Sequence, residues 1–306
     1  MKNVIVALIA ALAVGTASAQ QLIVATGSAE GTYSKLFKEM IGQCSGSGLS
    51  MIERNSTGSI ENLNNLLGNQ INAAFIQTDV LFARANRDDL GNVKTLVALH
   101  PEEVHFVAPV NSGIKSGGVV GFGGSAIVFS NIADLQNYKV GAAGGSVVSA
   151  NLIRLQSEIA YQVVEYADNK AALTGLAAGE IQAVVMVGGA PLGAVEALGP
   201  SYKLLSINES TYNKLKGVYR QARLSYNKPN SLKADGVSTI ATDALLVTRE
   251  YKTEKFITGL SKFRSCVLNA LPELQETTGT HPKWQTIKAD NKGKWAWYDL
   301  PVVGKK

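Results

Sequence analysis

The chain has 306 residues, of which 46% are apolar and 17% charged, so it is long enough for a large core and too apolar for a disordered chain. Its two cysteines exclude a disulfide-rich mini-scaffold and a cysteine-based zinc cluster. The net charge of +5 comes from scattered lysines and arginines with no dense basic run, which argues against a nucleic-acid partner.

The N-terminus reads MKNVIVALIAALAVGTASAQQ. Lys2 precedes an apolar run over residues 4–14, which is shorter than the roughly 20 residues a membrane span needs. Ala17-Ser-Ala19 is an A-x-A cleavage site. Residues 1–19 therefore read as a secretory signal peptide cleaved before Gln20. No cysteine follows the apolar run, so no lipid anchor is indicated, and no later segment has the apolar length of a span. The mature chain is expected in the periplasm, without membrane insertion.

Strand-like and helix-like segments then alternate. Residues 21–26 form a short apolar strand, followed by a stripe at helical spacing: Tyr33, Leu36, Phe37, Met40, Ile41 and Cys44. A second strand contains Met51 and Ile52, and a second stripe is Ile60, Leu63, Leu66 and Leu67. Residues 73–77 are a third strand, ending at Thr78-Asp79. The pattern resumes with a strand at 138–142, a glycine loop at 143–146 and a stripe of Val148, Leu152, Leu155 and Ile159. Strands at 162–165 and 182–187 enclose a helix over 171–178. This order predicts an α/β fold with two lobes, each a mainly parallel sheet flanked by helices. Crossings between lobes are expected near residues 108–110 and 235–240. The glycine-rich stretch between the two clusters reads as a β-hairpin at about 116–129. The last third holds a strand over 239–247 and a long helix with Phe256, Leu260, Phe263, Val267 and Leu271 on one face.

In such sheets ligands bind beyond the carboxyl ends of the strands. The loops there are rich in Gly, Ser and Thr and open helices, where free N–H groups suit an anion. No P-loop and no G-x-S-x-G elbow is present. Residues 121–126, Gly-Phe-Gly-Gly-Ser-Ala, imitate a dinucleotide fingerprint but follow no crossover strand and open no amphipathic helix. No cofactor is therefore expected. The run His100-Pro-Glu-Glu-Val-His105 invites a metal reading, yet on an extended chain His100 and His105 face opposite ways. Glu103 and His105 would share a face, and two ligands do not make a zinc site. His281, before Pro282, reads as structural. Cys44 and Cys266 lie on the apolar sides of their helices, which leaves buried thiols and a disulfide both open.

The loop motifs together resemble those of the TAXI class of TRAP-transporter solute receptors, which have the two-lobed type II periplasmic-binding-protein fold. They are Ala25-Thr-Gly-Ser-Ala-Glu-Gly-Thr-Tyr33, Thr57-Gly-Ser-Ile-Glu-Asn62, Gln77-Thr-Asp79, Gly141-Ala-Ala-Gly-Gly-Ser146 and Val187-Gly-Gly-Ala-Pro191. The resemblance runs over residues 22–264, and residues 280–285 and 294–301 look like one subgroup of the class. It implies lobe one from residues 20–109 and 236–306, and lobe two from 110–235, with the 116–129 hairpin as an insertion. It implies a non-enzymatic receptor whose cleft closes on a small organic acid or amino acid, with glutamate as a model ligand, and which delivers it to the membrane permease subunits of a TRAP transporter. The implied ligand residues on lobe one are Gly27, Ser28, Glu30, Thr32, Tyr33, Thr57, Gly58, Ser59, Gln77 and Asp79. On lobe two they are Gly144, Gly145, Ser146, Gly189 and Pro191. In that fold both cysteine-bearing helices belong to lobe one, so Cys44 and Cys266 are expected to form one disulfide. Two other readings stay open at this point. One is a periplasmic enzyme acting on an acidic metabolite, with Glu30, Asp79 or His105 as base. The other is a ligand sensor docking to a membrane signalling protein.

Overall fold

The computed structural model describes residues 21–44, 50–116 and 124–301. The expected signal peptide and residues 117–123 of the glycine-rich stretch lie outside them. The first half runs β1 (Gln21–Ala25), α1 (Thr32–Cys44), β2 (Ser50–Arg54), α2 (Ser59–Leu67), β3 (Ala73–Gln77), α3 (Thr78–Arg84) and the long β4 (Val93–Pro109). A two-stranded pair, β5 (Lys115–Ser116) and β6 (Ser125–Ala126), follows. The second cluster is β7 (Lys139–Ala143), α4 (Gly145–Ser157), β8 (Gln162–Tyr166), α5 (Asn169–Ala177), β9 (Ala183–Gly188), α6 (Gly193–Glu196) and β10 (Tyr202–Leu204). The chain returns through α7 (Glu209–Leu215), β11 (Arg220–Tyr226), β12 (Ala234–Arg249) and α8 (Glu254–Glu276).

The main sheet has the order β2-β1-β3-β12-β4-β9-β7-β8, with β10 beside β4 and β11 beside β12. β1, β2 and β3 are parallel, as are β7, β8 and β9. Each trio meets an antiparallel long strand: β12 beside β3 and β4 beside β9. The same arrangement thus occurs twice, and β4 and β12 run through both halves. β4 pairs with β12 up to Glu103 and with β9 from Glu103 onward. The change of partner lies ahead of the 108–110 position expected from sequence. Pro101, which has no N–H to give a ladder, sits at the register shift beside it.

Each half is covered on both faces, which is why its central strands are apolar throughout. In the first half α1 and α8 cover one face with Phe37, Met40, Phe263 and Val267, together with Phe75 of β3. α2 and α3 cover the other with Leu63, Leu66 and Val80, against Ala74 and Ile76. The alternation of Phe75 with Ala74 and Ile76 is the period of a strand. The disulfide between Cys44 and Cys266 joins α1 to α8, with Cα atoms 5.9 Å apart.

One predicted helix face is corrected in part. Val148 and Leu152 pack partly buried against the two cores and Ile159 is buried beyond the helix end, but Leu155 is 63% exposed. The fully buried positions are mostly small: Gly145, Ser146, Ser149, Ala150 and Ser157, with Ile153 among them. α4 packs against α3 of the first half as well as β9 and α7 of its own, and only small side chains permit so close an approach from several sides.

Candidate functional site

The seam where α4 of the second half meets the first is built from helix-opening loops. β3 ends in Gln77, and α3 begins at once with Thr78 and Asp79, all buried. Beside it α2 opens at Gly58-Ser59, and across the seam α4 opens at Gly144-Gly145. A Cβ on Gly144 would stand 2.2 Å from the Thr57 carbonyl oxygen, and one on Gly145 would stand 2.3 Å from Gln77 Oε1. The N-termini of α2 and α4 therefore face each other at backbone contact. Gln77 Oε1 is buried there without a hydrogen-bond partner. Burial without a partner costs an amide about 1–3 kcal/mol, so this oxygen stands ready to accept from a ligand donor.

The expected ligand residues divide. Tyr33, Gly58, Ser59, Gln77, Asp79, Gly144 and Gly145 come together at or beside this seam. Tyr33 donates to Glu102 Oε2 at 2.5 Å, and Ser59 also hydrogen-bonds the Tyr33 hydroxyl. Asp79 accepts from Ser149 Oγ at 2.6 Å and from Tyr219 Oη at 2.8 Å. Those two bonds tie the first half to the second. Burial pushes the Asp79 carboxyl up, and these donors hold it down. Gly189 faces the His100 ring and Lys283, with a Cβ there 2.9 Å from both. Other members lie off the seam. Ser28 and Glu30 are exposed on the loop before α1, and Pro191 is exposed after its cis bond with Ala190. Thr57 spends its hydroxyl on Glu61 at 2.9 Å. Gly27 is buried beside Tyr33, and Thr32 opens α1.

Neither Ser59 nor Ser146 caps its helix; the caps are Gly58 and Gly144. Ser59 Oγ accepts from Gln77 N and Ser146 Oγ from Val187 N, each at 3.0 Å. The hydroxyls thus satisfy strand-end N–H groups from beneath the loops. Ser146→Ala is expected to leave the Val187 N–H unpaired and to lower stability by about 1–3 kcal/mol in urea melts.

Four seam residues lie outside the expected ligand set: Glu102 and Lys283, and His100 and Glu103, which the sequence offered only as metal ligands. His100 and Glu102 share a face of β4 by its period of two. Glu103 forms an ion pair with Lys283 Nζ at 2.5 Å, with both side chains at least nine-tenths buried. Its second oxygen accepts from Ala190 N at 2.8 Å. Lys283 arrives on the 3-10 turn Pro282–Thr286, capped by the ring of His281. His105 faces away, with one ring nitrogen 2.8 Å from Tyr226 Oη.

Burial raises the Glu102 carboxyl to about 8, against an ordinary value of 4.5, and neighbouring Asp79 and Glu103 add to the shift. The folded chain therefore holds this proton more tightly than the unfolded chain. Its contribution to stability is full below pH 4.5 and is lost as pH rises through about 8. Burial lowers His105 and His281 to about 4, so their contribution is full above pH 6.5 and is lost as pH falls toward 4. Glu102→Gln is expected to flatten only the loss between pH 4.5 and about 8, by up to about 1.4 kcal/mol per pH unit. Denaturant midpoints measured from pH 5 to pH 9 check this.

The doubled strand order, the two through-running strands and the seam between the halves define a two-lobed periplasmic-binding-protein fold. Solved structures share it. A substrate-binding protein of an amino acid ABC transporter is 11% identical with a TM-score of 0.53, covering 86% of this chain and 98% of its own. The amino acid ABC transporter substrate-binding protein AbpA of Streptococcus pneumoniae, bound to L-arginine, is 12% identical at 0.51, covering 88% and 96%. The GluR0 ligand-binding core with L-glutamate is 12% identical at 0.50, covering 85% and 95%. The chain belongs to the NMT1-like family, whose model matches residues 24–294.

Proposed function

We propose that this chain is an extracytoplasmic solute receptor that captures a small organic acid or amino acid between its lobes and delivers it to a membrane permease. On the loop motifs we assign it to the TAXI class, with TRAP permease subunits as partners. Residues 1–19 act as the cleaved export signal. The observation that carries the reading is the seam itself. Two helix N-termini from different lobes face each other across the seam, and the buried, unpaired Gln77 oxygen beside them is placed to accept from a donor group of the ligand rather than from its carboxylate. N–H groups and a positive dipole end on each side suit a carboxylate. Binding of this kind needs placed donors and acceptors but no nucleophile. The fold shared with amino acid transporter components supports the same reading. Among the described residues, no helix is long and apolar enough to cross a membrane.

A thermal-shift screen of the exported protein against amino acids, dicarboxylates and keto acids tests it. A ligand at 100 times its dissociation constant adds about 2.7 kcal/mol to stability, which displaces the melting curve visibly. A screen across these classes with no stabilising compound would count against the receptor.

A further inference from the structure

The floor of the seam, on β4, holds a second cluster of buried polar groups. His100 is fully buried, and neither ring nitrogen has a hydrogen-bond partner. Its Nε2 lies 3.9 Å from Glu102 Oε1, beyond hydrogen-bond distance. Gly189 of the opposite lobe closes directly over the His100 ring. Every other charged group along this floor is already matched. Glu103 is neutralised by Lys283, and Asp79 is held by Ser149, Tyr219 and the Val80 N–H. Glu102 has the Tyr33 hydroxyl but no cation at hydrogen-bond distance; its nearest base is the buried imidazole of His100.

We infer that His100 and Glu102, under Gly189, form a second pole of the cleft that takes the primary ammonium of an amino acid, its carboxylate lying toward the facing N-termini of α2 and α4. This rests on the receptor reading above. The chemistry of the pole decides the sign of the charge. Glu103 and Lys283 already pair, which leaves Glu102 without a cation. A ligand anion beside Glu102 would hold it protonated, whereas a ligand cation gains by ionising it. A neutral imidazole offers one acceptor nitrogen, and a carboxylate offers two acceptor oxygens, whereas an ammonium brings three donors and no acceptor.

A proton is displaced in the process. The groups that face Glu102 are Tyr33 of α1, Asp79 of α3, His100 and Glu103 of its own strand, and Lys283 of the C-terminal turn. In this setting the carboxyl holds its proton at neutral pH. An ammonium brought beside it favours the ionised form. The carboxyl proton passes to solvent, the ligand keeps its own, and the bound pair is carboxylate and ammonium. His100 stays neutral, because burial and Lys283 hold its pKa well below the usual value.

Titration calorimetry with matched pairs tests the inference: L-glutamate with 2-oxoglutarate, L-alanine with pyruvate, and L-leucine with 4-methyl-2-oxopentanoate. Each pair differs at the ammonium and keeps the carboxylate. Run at pH 7 in phosphate and in Tris, the difference in heat counts protons released. For a pair that binds, the amino acid is expected to bind at least 100-fold tighter than its keto acid and to release close to one proton. In Glu102→Gln the preference is expected to fall at least tenfold and the release to vanish. The wild-type comparison alone decides if that variant does not fold. A keto acid binding as tightly as its partner, or an amino acid binding without proton release, overturns the ammonium pole and leaves the receptor reading intact. Binding of neither member of any pair, with no hit in the wider screen, overturns the receptor reading itself.

Discussion

Removing the Cys44–Cys266 bond is expected to lower stability by about 5 kcal/mol, because the bond closes a loop with a sequence separation of 222. A cross-link of that span removes much of the freedom of the unfolded chain. The folded structure loses little else, since α1 and α8 still pack through Phe37, Met40, Phe263 and Val267. The effect should therefore appear as a lower denaturant midpoint with ligand affinity unchanged, because both helices lie in the same lobe. Cys44→Ser with Cys266→Ser, compared with the parent in urea melts under oxidising conditions, reads it. Thiol titration of the denatured, unreduced parent gives an independent check: two free thiols per chain would contradict the bond.

Gly144→Ala is expected to weaken ligand binding at least 100-fold. Its Cβ would stand 2.2 Å from a backbone oxygen, that of Thr57, so no side-chain rotation relieves the collision. The lobes would be held apart where the N-termini of α2 and α4 meet. Gly144 also has a φ of +52°, so some loss comes from backbone strain alone. Gly179→Ala separates the two effects. Gly179 has a φ of +75° and nothing within 4 Å of a Cβ. Both variants should lose about 1 kcal/mol of stability. Only Gly144→Ala should lose affinity, as measured by calorimetry with the best ligand of the screen. Equal affinities in the two variants would remove the seam from the binding mechanism.

The sequence shows the repeated strand, loop and helix units plainly, because each strand ends in small polar residues and each stripe keeps helical spacing. The converging loops at Ser59, Gln77 and Gly144 were legible for the same reason. α4 misled in part because Leu155 lies on its outer face, while Ser146, Ser149 and Ala150 are buried beside Ile153. β4 was unreadable as a single strand. It buries polar and apolar residues alike, and Pro101 interrupts its pattern. His100 and Glu102 could be paired from their spacing of two, but the sequence put the crossing between lobes at 108–110, after them. Lys283 lies in the 280–285 segment that carries part of the resemblance, but nothing there names its partner. It reaches Glu103 across a sequence separation of 180, which only tertiary folding reveals.

The central claim is that the two lobes close on a ligand at the seam of Asp79, Ser149 and Gly144, hinging where β4 and β12 run between them. Small-angle X-ray scattering of the exported protein, alone and saturated with a ligand from the screen, tests it most directly. The account predicts a smaller radius of gyration on saturation in the parent, and no such contraction in Gly144→Ala. A radius unchanged by several tight ligands in the parent would contradict it.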